Sequence, residues 1–465
     1  MTTVFEARAD QAAPESGKGR WIERWEPDDA AFWAATGKRI AVRNLMFSVL
    51  TEHLGFCVWL LWSIAVLNLP KGMFTTSQVL WLTTTPNLVG ALIRIPYTFA
   101  PARFGGRNWT VVSGLLLLIP TGLFVYAVEN LDSLPFGVLL LIAATTGLGG
   151  GNFASSMANI THFYPASKQG LPLGLNAAGG NLGTSVTQLC MPPLIVAFGL
   201  VAVGWVWMPL VLLAAAGSYF FMNNLRTATT AYTVGEMVSI CGRAQTWIMS
   251  VLYIGTFGSF IGYAFSFGVL IKAQFPDVKG ANFIWLGAFV GSFARPVGGW
   301  LADRFGGARV TMIVFFAMTA GIGAVAYAVE AGNWALFLGA FLFVFAATGL
   351  GNGSTYRMIP AIFRIQALSR ADATDEAAVA RASAAGRRHA AAAIGICSAV
   401  GALGGVLIQQ AFRISIETTK GIAPALIGLA VFYALCMITT WALYLRKRGI
   451  TAAETGRSSL AEAGV

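Results

Sequence analysis

Ala91-Leu92-Ile93-Arg94, followed by Ala102-Arg103-Phe104-Gly105-Gly106, returns later in the chain as Ser292-Phe293-Ala294-Arg295, followed by Asp303-Arg304-Phe305-Gly306-Gly307. The offset is 201 residues (295 − 94). Thr146-Gly147-Leu148-Gly149 likewise returns as Thr348-Gly349-Leu350-Gly351, at an offset of 202 (348 − 146). One nearly constant shift at two distant places marks a parallel duplication. Parallel repeats of this kind occur in transporters that rock two helix bundles about a site near the bilayer midplane. Each copy carries one arginine inside an otherwise apolar stretch.

Composition agrees with a membrane setting. The chain has 465 residues, of which 56% are hydrophobic and only 11% charged, against about 25% charged in a soluble domain. Mean hydropathy is +0.67. Such a surface suits lipid, and its 32 Phe and 14 Trp suit helices with interfacial aromatic belts. The net charge of +11 is explained by loop topology, which excludes a nucleic-acid reading. The five cysteines, Cys57, Cys190, Cys241, Cys397 and Cys436, are dispersed and lack the spacing of a metal or redox motif. Residues 1–43 are polar and contain no signal-peptide core.

A helix needs about 20 apolar residues to cross the hydrocarbon core. The hydrophobic pattern predicts twelve spans: 45–69, 78–101, 109–128, 136–162, 170–198, 201–222, 247–271, 283–301, 310–329, 334–362, 389–412 and 422–445. The fold class is therefore an all-α membrane protein of two six-helix bundles related by a pseudo-twofold axis. The expected division is a cytoplasmic N-terminal segment at 1–43, bundles at 44–222 and 246–446, a linker at 223–245 and a tail at 447–465. Trp21, Trp25 and their charged neighbours fit a segment lying on the membrane surface as well as a partly ordered tail. A charged loop is expected at 364–388.

Arg103, Arg107, Arg226, Arg243, Arg304, Arg309, Arg364, Arg370, Arg381, Arg387, Arg388 and the run Arg446-Lys447-Arg448 all fall on one side of this topology. Glu129, Asp132, Asp277 and Glu330 fall on the other. The positive-inside rule makes the arginine side cytoplasmic, both termini included.

Ionisable residues inside the spans are few: Glu52, His53, Arg94, Arg295 and Arg357, with His162 and His389 near helix ends. An intramembrane charge costs at least ~2.5 kcal/mol, so each is a functional candidate. Arg94 and Arg295 hold equivalent positions and lack an acidic neighbour in sequence. Two facing guanidinium groups make an anion site, and their planar forks match planar oxyanions. The bland alternative has each arginine bonding backbone carbonyls at a helix break. Glu52 escapes its burial either by protonation or by pairing with a cation, and Arg357 is the unmatched partner within reach of the topology. A proton-coupling carboxylate and a static Glu52–Arg357 pair are both open.

Glycines cluster at Gly147, Gly149, Gly150 and Gly151, at Gly170, Gly174, Gly179, Gly180 and Gly183, and at Gly349, Gly351 and Gly353. Small residues at four-residue spacing let helices approach closely. Such faces either pack or slide as the bundles rock. Asn152, Asn159, Asn176 and Asn181 punctuate them, and mid-span Asn176 is a candidate for the site or for an interhelical hydrogen bond.

Two stretches resemble the signatures of the nitrate/nitrite porter family of the major facilitator superfamily. The first runs Gly150-Gly-Asn-Phe-Ala-Ser-Ser-Met-Ala-Asn-Ile160 through Gly174-Leu-Asn-Ala-Ala-Gly-Gly-Asn181. The second is Gly349-Leu-Gly-Asn-Gly-Ser354 with Ile359-Pro-Ala-Ile-Phe363. The Gly-x-x-x-Asp-Arg loop motif of the superfamily stands at 299–304, while Ala102 replaces its Asp in the first copy. The resemblance covers nearly the whole chain, including Trp25-Glu-Pro-Asp28 and Ala31-Phe-Trp33. It implies the major facilitator fold, nitrate and nitrite as cargo, and Arg94 and Arg295 as substrate residues. It further implies an aromatic sandwich of Phe153, Tyr253 and Phe257 around the anion, with Ser354, Ser398, Gly151 and Gly351 as weaker carry-overs for binding or gating. Glu52 with Arg357 departs from the known exchangers of the family, which leaves proton-coupled uptake open beside nitrate/nitrite exchange.

The expected protein is thus a secondary transporter of the inner (cytoplasmic) membrane, working as a monomer, with the bilayer, nitrate, nitrite and protons as its partners and no metal or cofactor. A carrier for another small oxyanion is the rival within transport. A membrane enzyme would need a nucleophile–base pair, metal ligands or a cofactor motif, and three scattered histidines supply none. A sensor would need a signalling domain.

Overall fold

The computed structural model describes residues 16–70, 72–165, 168–230, 234–372, 375–446 and 465. The chain folds into long helices: α1 Ala30–Asn68, α2 Thr76–Phe104, α3 Gly106–Glu129, α4 Phe136–Thr161, α5 Gly170–Phe198 and α6 Ala202–Phe221. After a polar connection come α7 Ala244–Gln274, α8 Ile284–Phe305, α9 Gly307–Glu330, α10 Trp334–Leu368, α11 Glu376–Thr419 and α12 Ala423–Leu445. Nine of these, among the described residues, are long and apolar enough to cross a membrane. The other three are α2, α5 and α8. They are 29, 29 and 22 residues long, and their hydropathy is diluted by Arg94, by Asn176, Asn181 and Gln188, and by Arg295. All three pack inside the bundle, α2 against α4 and α11, α5 against α1 and α8, and α8 against α10.

Local chemistry sets the ends. Thr75 closes a capping box with Gln78 at the start of α2, and Asn333 caps α10 through the amide of Leu336, as short polar side chains do for orphan N–H groups. Gly105 and Gly306 end α2 and α8 at φ of +88° and +89°. Only glycine adopts that backbone cheaply, and the two are again 201 residues apart, so the duplication extends to the backbone. Outward faces carry exposed apolar side chains such as Leu141, Val196, Leu213, Phe316 and Ile427. Helices that are apolar outside as well as inside belong in lipid.

Two expectations are corrected, and the linker gains detail. The charged loop expected at 364–388 is largely helical: α10 continues to Leu368, and α11 begins at Glu376, with Asp375 accepting from the Ala377 amide. Its alanine-rich sequence has high helix propensity, which outweighs the charges that suggested a loop. The linker contains a short helix, Val234–Cys241. From Ser16 onward the N-terminal segment is not a loose tail but is paired and packed against the helices. Ser16–Gly17 pairs with Trp21–Ile22, which pairs with Asn224–Leu225. Trp25, Phe32 and Trp33 are buried in a cluster with Ile160, Phe163, Tyr164 and Leu225.

Candidate functional site

Arg94 and Arg295 project from α2 and α8 onto the same pair of rings. Phe153 of α4 and Phe257 of α7 stack with centroids 5.7 Å apart and planes at 23°. The Arg94 guanidinium carbon lies 4.6 Å from the Phe153 ring and 4.8 Å from that of Phe257. For Arg295 the distances are 5.3 and 5.9 Å. Tyr253 stacks on Phe257 at 5.1 Å and its hydroxyl accepts from Arg295 Nη2 at 3.2 Å. Arg94 and Arg295 are 0% and 2% exposed, and neither forms an ion pair among the described residues. Cation–π contact with two aromatic faces compensates part of this burial.

The guanidinium groups are only partly satisfied. Arg94 donates from Nε to the Gly150 carbonyl at 3.1 Å and from Nη1 to that of Ser398 at 3.4 Å. Its Nη2 and the Nη1 of Arg295 have no hydrogen-bond partner among the described residues. The backbone-bonding alternative therefore holds for part of Arg94, and each arginine retains a buried donor. A buried unpaired donor costs about 1–3 kcal/mol. Such an expense between two cations and two ring faces fits a small anion that accepts from both. The local sequence explains the geometry: a Cβ at Gly150 would stand 2.8 Å from the Trp59 ring, and one at Gly353 only 2.2 Å from the Arg295 carbonyl. Glycine at these points lets α4 reach α1 and α2, and lets α10 reach α8.

Glu52, 1% exposed in α1, has no cationic partner within salt-bridge distance among the described residues. Its Oε2 accepts from Asn176 Nδ2 at 2.8 Å. Asn176 also reaches Ser156 Oγ at 2.6 Å, and Ser156 bonds Ser48 at 2.8 Å. Glu52 Oε1 has no partner and lies against Gly180, where a Cβ would sit 2.1 Å away.

The expected Glu52–Arg357 pair does not form. Arg357 binds Asp303, the aspartate of the loop motif, and both side chains are substantially exposed. Arg357 lies four residues, about one turn, beyond Gly353 of α10, and its side chain turns to Asp303 instead of Glu52. Of the two roles expected for Asn176, site residue or interhelical hydrogen bond, the structure shows the second, with its amide donating from α5 to Glu52 of α1. Ser398 touches Arg94 through its carbonyl, while its hydroxyl bonds Gly395. Ser354 bonds Thr311 of α9 at 2.8 Å and stays outside the site. Gly151 packs on Tyr97 and Ile93, and Gly351 on Thr256 and Val314. Two contributors escaped the sequence reading. Trp59 lies 5.5 Å from Arg94 and Tyr356 5.7 Å from Arg295. Tyr356 lies between the two parts of the second signature, which was the available signal; Trp59 sits among other apolar residues of α1 and gave none.

The sequence matches the Major Facilitator Superfamily over residues 44–408. It is 40% identical to the nitrate/nitrite transporter NarU of Escherichia coli K12, over 92% of this chain and 96% of that one. It is 33% identical to a probable nitrate/nitrite antiporter, NarK2, of Thermus thermophilus, over 93% and 98%. The fold superposes on the proton:xylose symporter XylE with a TM-score of 0.65, at 13% identity and over 87% and 96% of the two chains. That degree of identity speaks for the fold alone. The long match to relatives of one transporter type, added to the duplicated arginine helices, places the chain: it belongs to the nitrate/nitrite porter family of the major facilitator superfamily and is a multi-pass membrane transporter.

Proposed function

We propose that the protein carries nitrate and nitrite across the cytoplasmic membrane by alternating access, with the anion held between Arg94 and Arg295 in the slot formed by Phe153, Phe257 and Tyr253. The observation that carries this reading is the pair of unpartnered guanidinium nitrogens, one from each copy of the duplication, against one shared pair of rings. Twelve spans in two six-helix bundles supply the moving parts, because α2, α5 and α8 have the length of spans and lack only apolar composition. The arginine-rich loops are cytoplasmic, and a monomer contains the complete site.

Charge counting favours proton coupling. With Glu52 protonated, the loaded site carries two arginine charges and one anion, a net +1. With Glu52 ionised, the empty site also carries +1. Both forms then cross the occluded state at equal charge, so anion and proton travel together. If Glu52 stays protonated throughout, the empty site carries +2, its arginines repel, and only loaded carriers return, which is exchange. Exchange remains the second reading because the Thermus relative is described as a probable antiporter. The test is uptake into proteoliposomes. Nitrate accumulation driven by an acid-outside gradient without internal anion supports coupling; uptake that requires internal nitrite supports exchange; no nitrate or nitrite uptake under either condition overturns the cargo assignment.

A further inference from the structure

The glutamines Gln188 and Gln409 stand at matching places in the duplication. Gly180-x-x-Gly183-x-x-x-x-Gln188 in α5 returns as Gly401-x-x-Gly404-x-x-x-x-Gln409 in α11. The glycines of each motif press on the first helix of their own six-helix set. A Cβ at Gly183 would meet the His53 carbonyl of α1, and one at Gly404 would meet Ile254 of α7. The glutamines do the reverse and reach across to the other set. Gln188 Nε2 donates to the Ala264 carbonyl of α7 at 2.8 Å. Gln409 Oε1 accepts from Asn87 Nδ2 of α2 at 2.9 Å, and its Nε2 donates to Thr83 at 3.4 Å. Both glutamines are buried. Gly405 makes room for this crossing, since a Cβ there would lie 2.5 Å from Asn87 Nδ2.

We propose that Gln188 and Gln409 are paired latches that hold the end of the transporter opposite the arginine-rich loops shut over the anion site. The proposal rests on the site assigned above. Further cross-links continue outward on the Gln409 side: Gln410 Nε2 donates to Thr84 at 3.2 Å, and Arg413 Nη1 to Ser77 at 3.4 Å. On the Gln188 side, Ser185 Oγ donates to the Trp285 carbonyl at 3.1 Å. Each latch is built to release. Gln188 Oε1 and Asn87 Oδ1 have no partner, so each amide gains on the closed side only part of what it can bond. The two latches bind different helices, α7 and α2, yet both bridge the two six-helix sets, so rocking of one set against the other lengthens both contacts together. They position the helices around the anion without touching it.

The test measures the closed-to-open ratio directly. Spin labels at Ser133→Cys and Ala331→Cys, both exposed at the latched end, report its width in lipid nanodiscs, with Cys190 and Cys241 replaced by Ser. The near-isosteric variants Gln188→Met and Gln409→Met remove the cross-links without a cavity. An interhelical hydrogen bond in a membrane protein is worth about a threefold population shift. Each variant is expected to move the ratio about threefold toward the long distance, and the double variant about ninefold if the sites act independently. The buried Thr184→Val, whose hydroxyl bonds only Asn181 within α5, is expected to move nothing. An unchanged distribution in the double variant, or an equal shift in Thr184→Val, overturns the latch. Should a methionine variant not fold, Asn87→Ala removes the partner from the other side, and the same criterion applies. The distance readout needs no substrate, so a failure of nitrate transport in the parent protein counts against the site assignment and leaves the latch measurement standing.

Discussion

The two copies of the duplication present the same guanidinium group and surround it differently. Shifting α1 by the 201-residue offset sets Glu52 opposite Tyr253 and Phe56 opposite Phe257. In the second copy Tyr253 bonds Arg295 and Phe257 forms one face of the slot. In the first copy Glu52 turns to Asn176 and Arg94 is tied instead to two backbone carbonyls. One scaffold position thus anchors a cation in one copy and stores an isolated carboxyl in the other. The duplication kept the guanidinium group in both copies, while the neighbouring position diverged between a hydroxyl that bonds it and a carboxyl that does not. Arg94, held by the backbone, cannot be loosened by a single side-chain change; Arg295 can.

The largest expected effect tests what the copies share. Arg94→Lys and Arg295→Lys retain charge but lose the fork. Losing a charged hydrogen-bond pair of this kind is worth about a hundredfold in transport. Nitrate uptake at matched membrane abundance, with monodispersity as the check on folding, measures it. Near-normal uptake in either variant removes that arginine from the site and ends the symmetry.

Next comes the position where the copies diverge. Glu52→Gln is expected to abolish uptake driven by an acid-outside gradient while exchange of internal for external anion survives, because exchange needs no net proton release. Gradient-driven uptake and counterflow, measured in the same liposomes, separate the two. Unchanged gradient-driven uptake would leave nitrate/nitrite exchange as the better account. Tyr253→Phe acts on the other copy and is expected to weaken apparent nitrate affinity by about tenfold, the lower end of the worth of one hydrogen bond to a charged group. Its coupling should be unaltered. A coupling defect in Tyr253→Phe would dissolve the division of labour between the copies.

Much of this arrangement was legible in the sequence because lipid leaves little freedom. Apolar length dictated the helices, and the repeat offset selected Arg94 and Arg295 from thirty-one basic residues. What stayed hidden depends on depth and rotation about a helix axis. Arg357 and Glu52 both lie in spans, yet α10 carries Arg357 out to Asp303. The signature glycines offered a packing role and a sliding role, and their closest approaches favour packing. Gly149 meets Gly55 of α1, Gly349 meets Gly291 of α8, and Gly353 meets Arg295 of α8, each inside its own set of six helices. Motion then falls to contacts between the sets, where Gln188, Gln409 and Gly405 stand, and no charge pattern drew attention to them.

The smallest expected effect belongs to Arg357, and its smallness is the point. The sequence offered it as the cation that neutralises Glu52, which would make the lone carboxyl of the first copy a static ion pair. In the structure Arg357 pairs with Asp303, with side chains 41% and 52% exposed. Ion pairs this open contribute at most about 1 kcal/mol and are weakened by salt. Arg357→Gln is therefore expected to keep folded yield and to leave gradient-driven uptake within about twofold of the parent. Glu52→Gln combined with Arg357→Gln should behave as Glu52→Gln alone, since sites without a shared partner act additively. A buried pair predicts the opposite pattern: each single variant strands a charge and loses yield, and the double variant recovers it. Recovery in the double variant would restore the pair, deprive Glu52 of its isolation, and erase the difference between the two copies on which proton coupling depends.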